Sequence, residues 1–188
     1  GPGKIAILIF LGGAMEYGLF MMPSHPPERE TFAGHQWDLD CLELADNLGF
    51  SEAWIGEHYT SPWEPVPSPD LMIAQALMRT KNIKLATGVH LLPYHHPAEL
   101  AHRVAYLDHM AQGRFMFGIG GGWNAEEMGN HGTRFRRRWR VLRENILAMK
   151  EIWTKEEAEF HGEYVNFDKM WSYPKPVQLP HPPIFMGG

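Results

Sequence analysis

ATGVHLLPYHHPAELAHRVAYLDHMAQGRFMFGIGGGW, residues 86–123, decides the fold. It is the C-terminal part of one apolar run (82–93), a helical segment from Pro97 that Gly113 stops, and a second apolar run (114–123) that ends in glycines. Apolar runs flanking an amphipathic helix read as a parallel βαβ unit, because a strand covered on both faces needs no polar alternation. Glycine within the first run, at Thr87-Gly88-Val89, marks a bulge or a close backbone approach.

The same alternation extends outward. YGLFMMP (17–23) reads as a strand and HQWDLDCLELADNLGF (35–50) as a helix with Trp37, Cys41, Leu44, Ala45 and Leu48 on its apolar side. AWIGEH (53–58) is a strand, and Ser68-Pro69-Asp70 opens a helix. Residues 137–156 form a further helix, 158–168 a hairpin turning at His161-Gly162, and PPIFMGG (182–188) another strand. This βα order predicts an α/β fold with function at the C-terminal strand ends, where Glu57-His58, Gly88 to Leu92 and Gly120 to Trp123 converge.

The 188 residues suffice for a core, and 44% hydrophobic composition argues against disorder. A net charge of -5 gives no reason to expect a nucleic-acid or membrane partner. The one cysteine, Cys41, excludes an internal disulfide and fits a reducing, cytoplasmic setting; it reads as a core residue. Gly1-Pro2 reads as a protease-cleavage scar and residues 1–14 as an N-terminal extension ahead of a domain at 15–188, with 5–11 apolar enough to add a strand.

His58 is the candidate general acid or base, with Glu57 on the opposite side of its strand. The glycines at 118 and 120–122 lack the Lys-Ser/Thr of a P-loop. No H-x-H strand pattern occurs and His95-His96 are adjacent, so no metal site is expected. Arg134, Arg136, Arg137, Arg138, Arg140 and Arg143 either grip an anion or form a solvated face paired with Glu126, Glu127 and Glu144.

EHYTSPWE (57–64), the 86–123 stretch and KPVQLPHPPIFMGG (175–188) resemble the bacterial luciferase-like flavin-dependent oxidoreductases. The resemblance implies a TIM (β/α)8 barrel, here partial, with five family strands instead of eight. It implies a flavin at the C-terminal rim. His58 falls on the family's active-site histidine. Gly88-Val89 falls on a bulge behind the flavin ring, often with a non-proline cis peptide, where a bulky residue at 88 should affect flavin binding more than folding. Gly120, Gly121, Gly122 and Trp123 fall on a loop beside the cofactor, and Gly187 and Gly188 on a turn that meets its phosphate. Some FMN members carry a phosphate-binding arginine where Gly121 stands.

The implied activity is monooxygenation of a small apolar organic substrate with reduced FMN and O2, supplied by a separate flavin reductase, with Met21, Met22 and Trp63 as substrate wall. Residues 118–153 also resemble members that use a deazaflavin coenzyme for hydride transfer, and an inactive flavin-binding partial barrel is a third reading. Bare apolar sheet edges predict a homo-oligomer, most simply a dimer.

Overall fold

In the computed structural model, residues 15–187 are described; the expected strand at 5–11 and Gly188 lie outside them. Strands β1 (Gly18–Met21), β2 (Glu52–Ile55), β3 (Lys84–Thr87), β4 (His90–Leu91) and β5 (Phe115–Gly120) alternate with helices α1 (Thr31–Asn47), α2 (Pro69–Arg79) and α3 (Pro97–Ala111). After β5 come α4 (Ala125–Asn130), α5 (Arg138–Thr154), the antiparallel hairpin β6 (Glu157–His161) and β7 (Asn166–Trp171), and β8 (Ile184–Met186). Every pairing in the main sheet is parallel, in the order β1-β2-β3-β5, with β8 also on β5.

The expected bulge is present. Ala86 pairs with Met116 and His90 with Ile119, so four steps along one strand face three along the other. The extra residue falls at Gly88-Val89, which is joined by a cis peptide bond.

β5 is buried along its whole length, as its apolar sequence dictates. Leu42, Ile55, Ile73, Leu85, Leu100, Phe115, Phe117 and Ile152 fill the layer between sheet and helices, each stabilising by about 1.5–3 kcal/mol. The opposite sheet face carries Phe20 (63% exposed), the half-buried Trp54 and Phe185 (43% exposed), with the Trp54 and Phe185 rings edge to face at 5.1 Å. That face is where the lumen of a closed barrel would lie.

The expected apolar side of α1 is corrected. Trp37, Leu44 and Leu48 are exposed, while Gly34, Asp38, Leu39, Leu42, Ala45 and Asp46 are buried, and Cys41 is only half-buried. Two acids occupy the inward stripe because each has buried donors to meet. Asp38 Oδ2 lies 2.9 Å from His25 Nε2, and Asp46 accepts the backbone N–H groups of Lys81, Asn82 and Ile83. The helix also starts earlier than expected, at Thr31, because the Glu30 carboxylate accepts the N–H groups of Phe32 and Ala33.

Candidate active site

β2 ends at Ile55, so Gly56, Glu57 and His58 form the first residues of the rim loop. The Glu57 side chain turns inward. Its Oε2 accepts from His90 Nδ1 at 2.8 Å and Leu91 N at 3.0 Å; its Oε1 accepts from His95 Nε2 at 2.6 Å and from the Tyr59 hydroxyl. Burial works to raise the carboxyl's pKa, but the two imidazoles outweigh it and hold it well below the usual range. Burial and the adjacent Glu57 charge push the Tyr59 phenol up.

Glu57, His90 and His95 offer ligand atoms within 4.8 Å of one another, a grouping the sequence reading missed. No spacing rule finds it, because the loop after β2, strand β4 and the turn before α3 each contribute one residue. His95 partners Glu57, not its neighbour His96. The carboxylate's hydrogen bonds already occupy both oxygens.

His58 turns to the other side, as the strand alternation implied. Its Nδ1 lies 3.8 Å from Glu127 Oε1 and its Nε2 3.7 Å from Glu64 Oε2, distances of ion pairing, not hydrogen bonding. The side chain is 11% exposed. Glu127 is buried and accepts from Thr60 N at 3.0 Å, Thr60 Oγ1 at 2.8 Å and Tyr59 N at 3.2 Å. Burial opposes ionisation of Glu127, yet these donors and His58 keep its carboxyl below the usual range. α4, which carries Glu127, was not foreseen. Its signal was present as Asn124 three residues before Glu127, a capping-box spacing, and Asn124 Oδ1 does accept from Glu126 N and Glu127 N.

A cavity of about 390 Å³ opens at the ends of β4 and β5. Trp123 lines it, with its ring centroid 6.3 Å from that of His58. Val89, Gly120, Gly121, Gly122 and Gly187 also line it, so most of the sequence-expected cofactor residues share one wall. Leu91, Phe135, Arg138 and Trp139 complete it; of these the sequence reading had placed Leu91 at a strand end and the arginine within a cluster.

The volume lies within the range of roughly 300–1,000 Å³ for small-molecule sites. A Cβ at Gly120 would stand 2.5 Å from Val89 Cγ2, and one at Gly121 2.6 Å from the Trp139 ring. Gly122 has φ 75°, which favours glycine. The Arg138 Nε is buried without an acceptor. Aromatic walls, a bare backbone floor and an unmatched cationic donor fit a planar aromatic group with an anionic tail, so a flavin nucleotide fits the residues present.

Other expected site residues lie elsewhere. Gly88 faces the sheet, where a Cβ would meet Trp54 Cβ at 3.0 Å, Ile55 N at 3.2 Å and Phe20 Cε2 at 3.2 Å. Met21 packs against the core, Met22 covers Gly56, and Trp63 is half exposed with its carbonyl accepting His25 N at 2.8 Å.

The model of the family described as luciferase-like monooxygenase matches residues 15–188. The 3,6-diketocamphane 1,6-monooxygenase of Pseudomonas putida is 34% identical over 164 residues, covering 80% of this chain and 43% of that protein. The oxygenating constituent of 3,6-diketocamphane monooxygenase from a P. putida plasmid, a type II Baeyer-Villiger monooxygenase solved in complex with FMN, superposes with a TM-score of 0.78. It is 33% identical, over 89% of this chain and 46% of that one. Monooxygenase RslO1 of Streptomyces bottropensis gives a TM-score of 0.86 at 29% identity, over 92% of this chain and 53% of that one. The chain thus spans about half the length of the relatives it matches. Its half-barrel of parallel strands and the family match over 15–188 lead to one conclusion: the chain belongs to the luciferase-like monooxygenase family.

Proposed function

We propose that the chain is a flavin-dependent monooxygenase that uses reduced FMN and O2 on a small apolar organic substrate. The observation that carries this reading is the cavity lined by Trp123 and the Gly120–Gly122 loop, with the His58 ring 6.3 Å from that of Trp123. The P. putida structure in complex with FMN, at 33% identity, supports FMN as the cofactor.

Bound reduced flavin supplies the electrons that activate O2. The chain's residues do the rest. Val89, Trp123 and Trp139 bind the ring and exclude water, and the Gly120–Gly122 backbone lets the cofactor approach. His58, between Glu64 and Glu127, holds a proton at the reactive edge. Met22 and Trp63 belong to the substrate side of the same rim. A separate flavin reductase supplies the reduced cofactor. The chain acts as a cytoplasmic homodimer; no helix among the described residues is long and apolar enough to cross a membrane.

A deazaflavin reading is favoured by one observation, the glycine at 121 where some FMN members carry an arginine. Titration of the purified chain with FMN and with a deazaflavin coenzyme, followed by O2 uptake with photoreduced FMN and a terpenoid ketone, separates the readings. FMN binding with substrate-dependent O2 uptake is the expected result. Deazaflavin binding alone would establish hydride transfer, and flavin binding with no turnover an inactive partial barrel.

A further inference from the structure

Among the arginines at 134–143, Arg138 is the one that lines the cavity with Gly120, Gly121 and Gly122. Arg134 and Arg137 line a different cavity, beside Tyr164. The Arg138 guanidinium lies over the Phe135 ring at 3.9 Å and over the Trp139 ring at 5.1 Å, so its plane is fixed by two aromatic contacts. One Nη donates to the Phe135 carbonyl at 3.1 Å. The Nε is buried and has no acceptor.

Two of the three carboxylates expected to neutralise this cluster are engaged elsewhere, and the third, Glu126, makes no ion pair with an arginine among the described residues. Glu127 is held by Thr60 and Tyr59, and Glu144 accepts the backbone N–H groups of Glu163, Tyr164 and Val165. Among the described residues, arginine–carboxylate ion pairs are made by Arg79 and Arg103, none by Arg138. A fixed guanidinium, with a buried donor and no counter-charge, beside a glycine-lined cavity is built for an oxyanion.

Gly121 explains why position 138 carries the charge. A side chain at 121 would run into the six-membered ring of Trp139, at 2.6–3.0 Å. Trp139 therefore fills the space from which a side chain at 121 would reach the cavity. Its neighbour Arg138 brings a cation in from α5 instead.

We propose that Arg138 binds the phosphoryl group of the flavin's ribityl tail, through Nε and its free Nη, in place of an arginine at position 121. This rests on the flavin reading above and specifies how the cofactor is selected.

The test compares FMN, riboflavin and a deazaflavin coenzyme bearing a phosphodiester, titrated against the unmodified chain, R138M and R138K by flavin fluorescence. Methionine keeps the stem packed between Phe135 and Trp139, and circular dichroism checks folding. The expected result is at least tenfold tighter binding of a phosphorylated flavin than of riboflavin. R138M abolishes that preference with riboflavin affinity within twofold of the original, and R138K retains part of it. FMN preference identifies the monoester as the ligand, deazaflavin preference the diester.

In parallel, the Arg138 Nε–H resonance is followed by NMR and should shift with inorganic phosphate or FMN but not riboflavin. R138M that keeps the preference, or weakens riboflavin and FMN equally, overturns the proposal, as does an unmoved Nε–H. A shift with phosphate in a chain that binds no flavin would uphold the anion site and defeat the flavin reading instead.

Discussion

Glu57 and His95, 38 positions apart in the chain, meet with the imidazole Nε2 at 2.6 Å from the carboxylate Oε1; the carboxylate is fully buried and the imidazole 12% exposed. The contact ties the end of β2 to the turn before α3. His90 adds the link to β4 and Tyr59 closes the group from above. The rim is thus held by a buried charge, not by apolar packing alone.

Replacing that charge should be expensive. In Glu57→Gln one carboxamide must serve four donors, and its NH2 confronts at least one of them. The loss should be about 3–5 kcal/mol, the range for breaking a buried ionic group's partnership. Urea unfolding at pH 7 measures it, and a loss below about 1 kcal/mol would contradict the network.

The acid limb follows from the same group. The folded pKa of Glu57 lies below its unfolded value of about 4.3. Its stabilisation is therefore fully present above that value and lost as pH falls toward the folded one. Asp46 and Glu127 shift in the same direction. Stability should hold from pH 7 to about 5, then fall more steeply with each step toward pH 3. Each such carboxylate adds at most about 1.4 kcal/mol per pH unit. Glu57→Gln should flatten that limb by one proton's worth, and an unchanged slope would remove Glu57 from the account.

His58 stands between Glu64 and Glu127, with its ring 6.3 Å from that of the cavity-lining Trp123, so His58→Ala should lower turnover at least tenfold, equivalent to about 1.4 kcal/mol in the barrier, with an unchanged far-UV spectrum.

The glycines divide by what a methyl group would meet. At Gly118 it would overlap the Thr87 carbonyl, which is backbone and cannot move aside; at Gly88 it presses on Trp54 and the Ile55 backbone. Gly118→Ala should cost about 3 kcal/mol and Gly88→Ala about 1–3 kcal/mol. At Gly88 the added methyl group meets the sheet, so folding stability should fall there whatever the effect on flavin binding. Gly129, helical with nothing within 4 Å, should gain about 0.5–1 kcal/mol on mutation to alanine. Thermal melts of the three variants should keep that order.

The strand and helix order was legible because apolar runs and glycine stops are local. So was the bulge at Gly88-Val89, which glycine within a strand announces. The inward side of α1 was not, since Asp38 and Asp46 look like solvent residues until His25 and the 81–83 turn are folded against them. The placement of His58 and the Gly120–Gly122 loop just past strand ends was legible from the apolar runs before them. The Glu57–His90–His95 group was not, because its members come from a loop, a strand and a turn that meet only once the sheet has formed. Nor was Trp139, whose place in the cavity depends on where α5 docks.

The open sheet face leads to the last expectation. Phe20 and Phe185 stay exposed on either side of Trp54, on strands at the two edges of the parallel sheet. Both edge strands are apolar and, among the described residues, have no strand partner on their outer side, the arrangement that templates pairing with another chain. A two-fold dimer that sets these faces together would bury both rings and satisfy the edges at once. Sedimentation at micromolar concentration should give a dimer. Phe20→Glu and Phe185→Lys, singly, should shift it to monomer, because each places an unpaired charge in the buried contact. The double variant should recover part of the association if the two residues face each other across the two-fold axis. A monomeric native chain would exclude closure by a second copy, and dimers unaffected by both charges would place the contact on the helical face instead.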